Sequence, residues 1–261
     1  MAQPQRRVVV VGAGSGIGAA TAAHFHAAGA HVLAVDLRDS DTPAAEHRHC
    51  DLRDAAAIEA LLAGIGDGWD LLAHVAGVPG TAPAGDVLAI NYLGMRRTVT
   101  GMLPLLRTGG AVVTVASVAA LGWQQRIPVL EGLLAATDEA AVRAWQAGQD
   151  PAYPVYSTSK QAAVLFAKRL APAAWQKYGV RVNTVSPGPT ETPILGDFET
   201  SMGKEVLDTV KATVGRHATA ADIVPVIEFL GSPAAGWVNG QDLHVDGGFV
   251  APMSVGGPLA L

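Results

Sequence analysis

RRVVVVGAGSGIGAATAAHFHAAGAHVLAVD, residues Arg6 to Asp36, decides the fold. Arg7 to Val11 is a short β-branched run, as expected for a buried parallel strand. Four glycines follow, at 12, 14, 16 and 18, and then Ala19 to Ala28 has helix-forming composition and stops at Gly29. A second apolar run, His31 to Val35, ends in Asp36, 20 positions after Gly16. Strand, glycine turn, helix, strand and a distal acid form a dinucleotide-binding pattern. The glycines allow a sharp turn and close approach of a pyrophosphate, whose oxygens face the amides of the helix start. Asp36 can accept hydrogen bonds from an adenosine ribose, and its charge repels a 2′-phosphate. This points to NAD over NADP, although Arg38 lies close enough to soften the preference.

Working outward, the remaining chain alternates apolar runs with helical stretches. Strands are expected at His47 to Cys50, Leu71 to Val75, Ala111 to Ala116, Arg181 to Val185 and Asp242 to Val245. Helices are expected at Ala55 to Ala63, Val87 to Leu106, Val155 to Tyr178 and Ala220 to Leu230. Such alternation implies an α/β fold with one doubly wound, mainly parallel sheet and helices on both faces. Ligands in these sheets bind at the carboxyl ends of the strands. Asp36, Asp51, Gly77, Ser117 and Ser186 fall at or just past such ends.

Composition sets bounds. The chain has 261 residues and no Pro/Ser-rich or charged linker, so a single domain over 1–261 is expected. With 49% hydrophobic and 16% charged residues, a well-buried core fits, and a charge-poor surface leaves room for a subunit interface. A net charge of −5 gives no basic footprint for nucleic acid. One cysteine, Cys50, rules out an internal disulfide and suits a reducing compartment, so a cytoplasmic location is expected. The start, MAQPQRRVVVVGAGSG, does not read as a secretory signal because glycines interrupt its apolar run. No stretch approaches a membrane span. The HRHC run, His47 to Cys50, alternates sides of a strand and reads as an edge rather than a metal site, and no metal is expected.

The order of the important glycines, Gly12, Gly16 and Gly18, resembles the short-chain dehydrogenase/reductase family. The resemblance extends over roughly residues 6–249. It implies a Rossmann-type domain of seven strands and an oxidoreductase that uses NAD. By this resemblance the cofactor is held by Gly12, Ser15, Gly16, Ile17, Gly18, Asp36 and Leu37 from the first half-fold. Asp51 and Leu52, with Ala76 and Gly77, would follow at the next two strand ends. In the PGPTETP segment, Pro187, Gly188, Thr190 and Thr192 would hold the nicotinamide carboxamide end. HVAG stands where the family usually has NNAG, so His74 and Val75 depart while Ala76 and Gly77 hold. VDGG, from Val245 to Gly248, matches the end of the last strand.

The chemistry is expected at YSTSK, Tyr156 to Lys160. A tyrosine and a lysine four apart on a helix share one face. A phenol with pKa near 10 is a poor base at neutral pH, and a nearby ammonium favours the phenolate. The spacing therefore places Lys160 where it can lower the pKa of Tyr156. The resemblance assigns Tyr156 as proton carrier and has Lys160 also hold the nicotinamide ribose. It gives Ser117 to the substrate oxygen and Asn91, in NYLG, to a water linking Lys160 to solvent.

Ser117 and Tyr156 lie 39 positions apart, much farther than in most of the family. The intervening 118–152 segment reads as an insertion of two short helices before the catalytic tyrosine. One carries a Leu130, Leu133, Leu134 stripe; the other is capped by Thr137, starts at Asp138 and ends at Gly148. They would wall the substrate pocket or cover a subunit interface. The long gap, with YxxSK and PGxTETP, resembles the branch containing 3α-hydroxysteroid dehydrogenase/carbonyl reductase and coniferyl-alcohol dehydrogenases. That implies a hydrophobic small-molecule alcohol or ketone as substrate. A bulky secondary alcohol of 3α-hydroxysteroid type leads. An aryl allylic alcohol such as coniferyl alcohol, a terpene alcohol or a simple aryl alcohol is the alternative. A sugar-nucleotide epimerase or dehydratase would share the Tyr-Lys pair but carries a larger domain after VDGG. A non-catalytic dinucleotide sensor would be expected to lack Tyr156, Lys160 or Ser117. A homodimer or homotetramer is expected. The apolar tail GGFVAPMSVGGPLAL, from Gly247, could pack on a neighbouring subunit or on the pocket.

Overall fold

The computed structural model describes residues 5–202, 204–255 and 257. Seven strands, β1 (Arg7–Val11), β2 (His31–Asp36), β3 (Glu46–His49), β4 (Trp69–His74), β5 (Leu106–Val115), β6 (Arg181–Pro187) and β7 (Asp242–Val245), form one sheet. Its order is β3-β2-β1-β4-β5-β6-β7, and every adjacent pair is parallel. The sheet is of the Rossmann type. Chain direction reverses across the sheet between β1 and β4, which opens a crevice at their carboxyl ends.

The two-residue period of the strands divides the core. Val8 and Val10 of β1 join Leu71, Ala73, Val113 and Ile227 in one buried cluster. This face is covered by α1 (Gly16–Ala27) and α10 (Ala220–Gly231). Val9 and Val11 face the other way, with Leu72, Val112 and Val182. That face is covered by α2 (Ala55–Gly64), α4 (Met95–Met102) and α7 (Val155–Tyr178). Both faces of the sheet are thus dry, which is why its strands are near-continuous apolar runs. Buried Arg181 at the start of β6 donates to the Leu230 carbonyl at 2.7 Å and to the Ser232 carbonyl at 3.0 Å, tying the end of α10 to the sheet.

Two expectations shift at the edges of elements. The stretch expected as one helix from Val87 to Leu106 begins earlier, as α3 (Ala84–Leu88), widens into a π-turn over Ala89–Gly94 and continues as α4. Leu106 already belongs to β5. Asn91 sits in the π-turn, a distortion that is frequent at functional sites. The helix after the glycine turn starts at Gly16 rather than Ala19; Gly16 itself has a φ of 54°, in the left-handed region that glycine tolerates, and leads the chain from the turn into α1.

The insertion forms α5 (Ile127–Ala135) and α6 (Glu139–Ala147). Asp138, not Thr137, is the cap of α6; its carboxylate accepts from the Ala141 amide at 2.8 Å. Leu130 and Leu133 are buried, and α5 packs on α7. Arg96 of α4 donates to the carbonyls of Leu134 and Ala136, at 2.7 and 3.1 Å, which anchors the end of α5. Between β6 and α10 lie α8 (Leu195–Met202) and α9 (Lys204–Val214). Part of the apolar tail, 256 and 258–261, lies outside the described residues. Among the described residues, no helix is long and apolar enough to cross a membrane.

Candidate active site

The crevice holds a cavity of about 410 Å³. One wall is the glycine turn. The amides of Gly12 and Ala13 donate to the Val35 carbonyl at 2.8 and 3.1 Å, folding the turn against β2. A Cβ on Gly12 would lie 2.5 Å from the Cα of Ala76. One on Gly16 would lie 3.2 Å from Cγ2 of Thr192. The turn, the end of β4 and the PGPTETP segment therefore meet at backbone distance. Ser15, the residue before α1, makes no capping hydrogen bond to the helix, so the first-turn amides are left for a phosphate.

Asp36 is fixed at the rim. Its Oδ2 accepts from the Gly14 amide at 2.7 Å and its Oδ1 from the Arg38 amide at 3.0 Å. Each carboxylate oxygen keeps further lone-pair capacity, which ribose hydroxyls can use. Asp51 is paired with Arg53 at 2.7 Å, and this guanidinium holds its carboxyl below the usual range. Asp51 is thus held as an ionised acceptor. The glycine cradle, the uncapped helix start and the two rim carboxylates fit an adenine dinucleotide.

Gly12, Ser15, Gly16, Ile17, Gly18, Asp36, Leu37, Asp51, Leu52, Ala76 and Gly77 all line this one cavity. So do Ser117, Tyr156, Lys160, Pro187, Gly188, Thr190 and Thr192. Asn91 is not in the lining, although its neighbour Ile90 is. Its Oδ1 accepts from the Val78 amide at 2.8 Å, and its Nδ2 donates to the Val78 carbonyl at 2.9 Å. Nδ2 also reaches Oγ of Ser159 at 3.3 Å. Asn91 so clamps the loop after β4 and ties it to α7.

Sequence reasoning passed over Val78, Pro79 and Ile194, and left Gly14 outside the important glycines. A Cβ on Gly14 would lie 2.8 Å from the Asp36 carboxylate, a constraint that exists only once β2 lies beside the turn. Val78, Pro79 and Ile194 give the lining an apolar part that no motif announces. Thr81 donates to Asp197 at 2.8 Å, joining the loop after β4 to α8. No residue of 118–152 is among the lining residues described. The insertion lies instead on α4 and α7.

Ser117, just past β5, accepts from the Ala119 amide at 3.1 Å and hydrogen-bonds the Tyr156 phenol. Tyr156 lies in the first turn of α7. Lys160 donates from Nζ to the Val115 carbonyl at 3.0 Å, with Nζ 5.6 Å from the Tyr156 ring centroid. Burial pushes the Tyr156 phenol up to about 12, and the Ser117 hydrogen bond works against that rise. Burial lowers Lys160 to about 8. The expected lowering of Tyr156 by Lys160 is not seen in this structure: desolvation of the phenol dominates, and Ser117 is the partner that opposes it. At neutral pH Lys160 is still mostly an ammonium. The arrangement can hold an oxygen substituent at Ser117 and move a proton at Tyr156 beside a buried cation.

Comparison with known proteins agrees with this geometry. The family model described as Enoyl-(Acyl carrier protein) reductase matches residues 12–250. The chain is 36% identical to the 3-alpha-hydroxysteroid dehydrogenase/carbonyl reductase of Comamonas testosteroni, over 94% of this chain and 97% of that one. It is 32% identical to the coniferyl-alcohol dehydrogenase of a Pseudomonas species, again over 94% of this chain and 97% of that one. The solved 3-alpha-hydroxysteroid dehydrogenase of Pseudomonas sp. B-0831, complexed with NADH, superposes with a TM-score of 0.79 at 31% identity. That superposition covers 95% of this chain and 98% of the other. With its parallel sheet, glycine turn and Ser117–Tyr156–Lys160 cluster at one rim, the chain belongs to the short-chain dehydrogenase/reductase family.

Proposed function

We propose that this NAD-dependent oxidoreductase interconverts a bulky hydrophobic secondary alcohol, of 3α-hydroxysteroid type, and its ketone. The observation that carries the reading is the Ser117–Tyr156–Lys160 cluster, with Lys160 buried, in the same cavity as the glycine turn. NAD, when bound, supplies the hydride acceptor and a positively charged ring. Asp36 accepts from its adenosine ribose, Asp51 from the adenine amino group, and the first-turn amides of α1 bind the pyrophosphate. Pro187, Gly188, Thr190 and Thr192 hold the carboxamide end. Ser117 donates to the substrate oxygen, Tyr156 takes the alcohol proton, and Lys160 orients the nicotinamide ribose. Asn91 keeps the loop after β4 in place and would hold a water that links Lys160 to solvent.

The apolar residues Val78, Pro79 and Ile194 support a hydrophobic substrate. The similarity to enzymes named for a hydroxysteroid and for coniferyl alcohol supports the same class. The test is NADH formation, followed by its near-ultraviolet absorbance, with NAD or NADP and a panel of alcohols. The panel holds a 3α-hydroxysteroid, coniferyl alcohol, a simple aryl secondary alcohol and a cyclic terpene alcohol. Turnover of the steroid with NAD is the expected result. Turnover of coniferyl alcohol alone moves the chain to an aryl allylic alcohol. Binding of NAD with no turnover on any member leaves the fold and cofactor standing and sinks the hydrophobic-alcohol substrate reading.

The same reading includes a homodimer or homotetramer. Phe229 on α10 is 42% exposed, and Trp237, in the segment leading to edge strand β7, is 94% exposed. Exposed aromatic surface of this kind favours burial against another subunit. Sedimentation of the chain as a monomer at micromolar concentration would overturn this part.

A further inference from the structure

We infer that His74 is a positioning residue for Lys160: its imidazole presents the Nε2 lone pair to the buried ammonium and helps hold it beside Tyr156. The inference rests on the catalytic reading above and deepens it.

His74 is the last residue of β4, registered between Val11 of β1 and Thr114 of β5 at the centre of the sheet. It is 1% exposed. Leu72, two residues earlier, belongs to the core cluster on the α2, α4 and α7 face. The period of the strand puts His74 on that same face, from which Lys160 rises on α7. Among the described residues, His74 Nε2 is the buried side-chain polar atom left without a hydrogen-bond partner. Such orphans are rare because an unpaired buried polar group is costly. The other ring nitrogen is engaged by the residue's own backbone.

The neighbour with donors to offer is Lys160. An ammonium has three, and one goes to the Val115 carbonyl. Burial, aided by the field of Lys160, drives His74 down to about 3, so the ring stays uncharged and its lone pair stays available. The titratable groups facing Lys160 are His74 from β4 and Tyr156 from its own helix; Ser159 and Asn91 add polarity without charge. Burial is the cause of the lowered lysine pKa, with no carboxylate opposing it. An acceptor at Nε2, reached directly or through one water, favours the charged form of this ammonium beside the Val115 carbonyl. Replacing the acceptor lowers Lys160 further and makes the Tyr156 phenol harder to ionise.

The test compares wild type, His74→Leu and His74→Gln, the last of which restores an acceptor oxygen. For the panel alcohol that is turned over, the acidic limb of kcat/KM against pH should move upward in His74→Leu. The expected displacement is about one pH unit, the effect of one lost hydrogen bond to a charged group. His74→Gln should bring most of it back. An unmoved limb in a folded His74→Leu variant overturns the inference. A second measurement needs neither turnover nor a His74 variant. In ¹⁵N NMR of the wild type, His74 should stay uncharged from about pH 5 to 8, where a free imidazole titrates. Its Nε2 resonance should respond to Lys160→Met. A His74 that titrates normally, or that ignores Lys160→Met, overturns the inference. If wild type turns over no panel alcohol, the substrate reading fails while this measurement still decides the pairing.

Discussion

Tyr156→Phe should cut turnover by about 10³-fold or more while leaving NAD affinity nearly unchanged. The substitution keeps the buried ring, its place in the first turn of α7 and the Lys160 ammonium 5.6 Å from the ring centroid. It removes only the hydroxyl that hydrogen-bonds Ser117. That hydroxyl is the group in this cluster that can exchange a proton with an alcohol. A positioned acid–base group contributes about 10²–10⁴ in rate, and loss of the bond that orients the substrate oxygen adds to it. The sign of the pH dependence follows from burial. A phenol pushed up to about 12 is almost fully protonated near neutrality. Alcohol oxidation by wild type should therefore climb with pH as the phenolate becomes accessible. The Ser117 hydrogen bond favours the phenolate against that rise. The positive ring of bound NAD acts in the same direction. Binding of NADH by fluorescence and turnover by absorbance separate the two readouts. A Tyr156→Phe enzyme that keeps a tenth of wild-type turnover takes Tyr156 out of the mechanism.

How much of this was legible beforehand depended on whether the signal was local. The first strand, the glycine turn and Asp36 could be read because a turn approached by phosphate needs particular residues at particular spacings. The strands β6 and β7 could be read from their place in the alternation of strands and helices. Gly14 was left outside the important glycines because its constraint is the Asp36 carboxylate, which reaches it only after β2 pairs with β1. The π-turn at Asn91 leaves no trace in AINYLG, since it is imposed by bonds from Asn91 to Val78 and Ser159. The cap of α6 was placed one residue early because Thr137 and Asp138 are both good caps, and only the Asp138 bond to the Ala141 amide separates them. The insertion could be read as two helices from its stripes. Its seat on α4 and α7 depends on Arg96 reaching two carbonyls some forty residues away in sequence. The electrostatics of Tyr156 were misjudged for the same kind of reason. Spacing shows that Lys160 is near, but not how far the fold strips water from the phenol.

Gly18→Ala should weaken NAD binding by about 100-fold or more, although it adds one methyl group. The backbone of Gly18 lies in the first turn of α1 with ordinary helical geometry, so strain is not the issue. The added Cβ would be placed on the carbonyl oxygen of Gly12. That oxygen belongs to the turn, which is itself pinned by Val35 and closed against Ala76. Neither side can rotate away. The helix start must retreat from β1 by on the order of 1 Å, which moves the phosphate-facing amides, and a misplacement of this size costs about 10²-fold. Overpacking of this kind also destabilises a fold by about 1–3 kcal/mol. Gly29→Ala provides the contrast. Gly29 has φ of 82°, yet nothing lies within 4 Å of an added Cβ. That change should cost only the left-handed backbone penalty of about 1–2 kcal/mol and leave NAD affinity intact. Chemical denaturation and NADH titration of both variants distinguish a packing constraint from a conformational one. Equal loss of NAD affinity in the two would mean that the turn acts through overall stability, not through contact between α1 and β1.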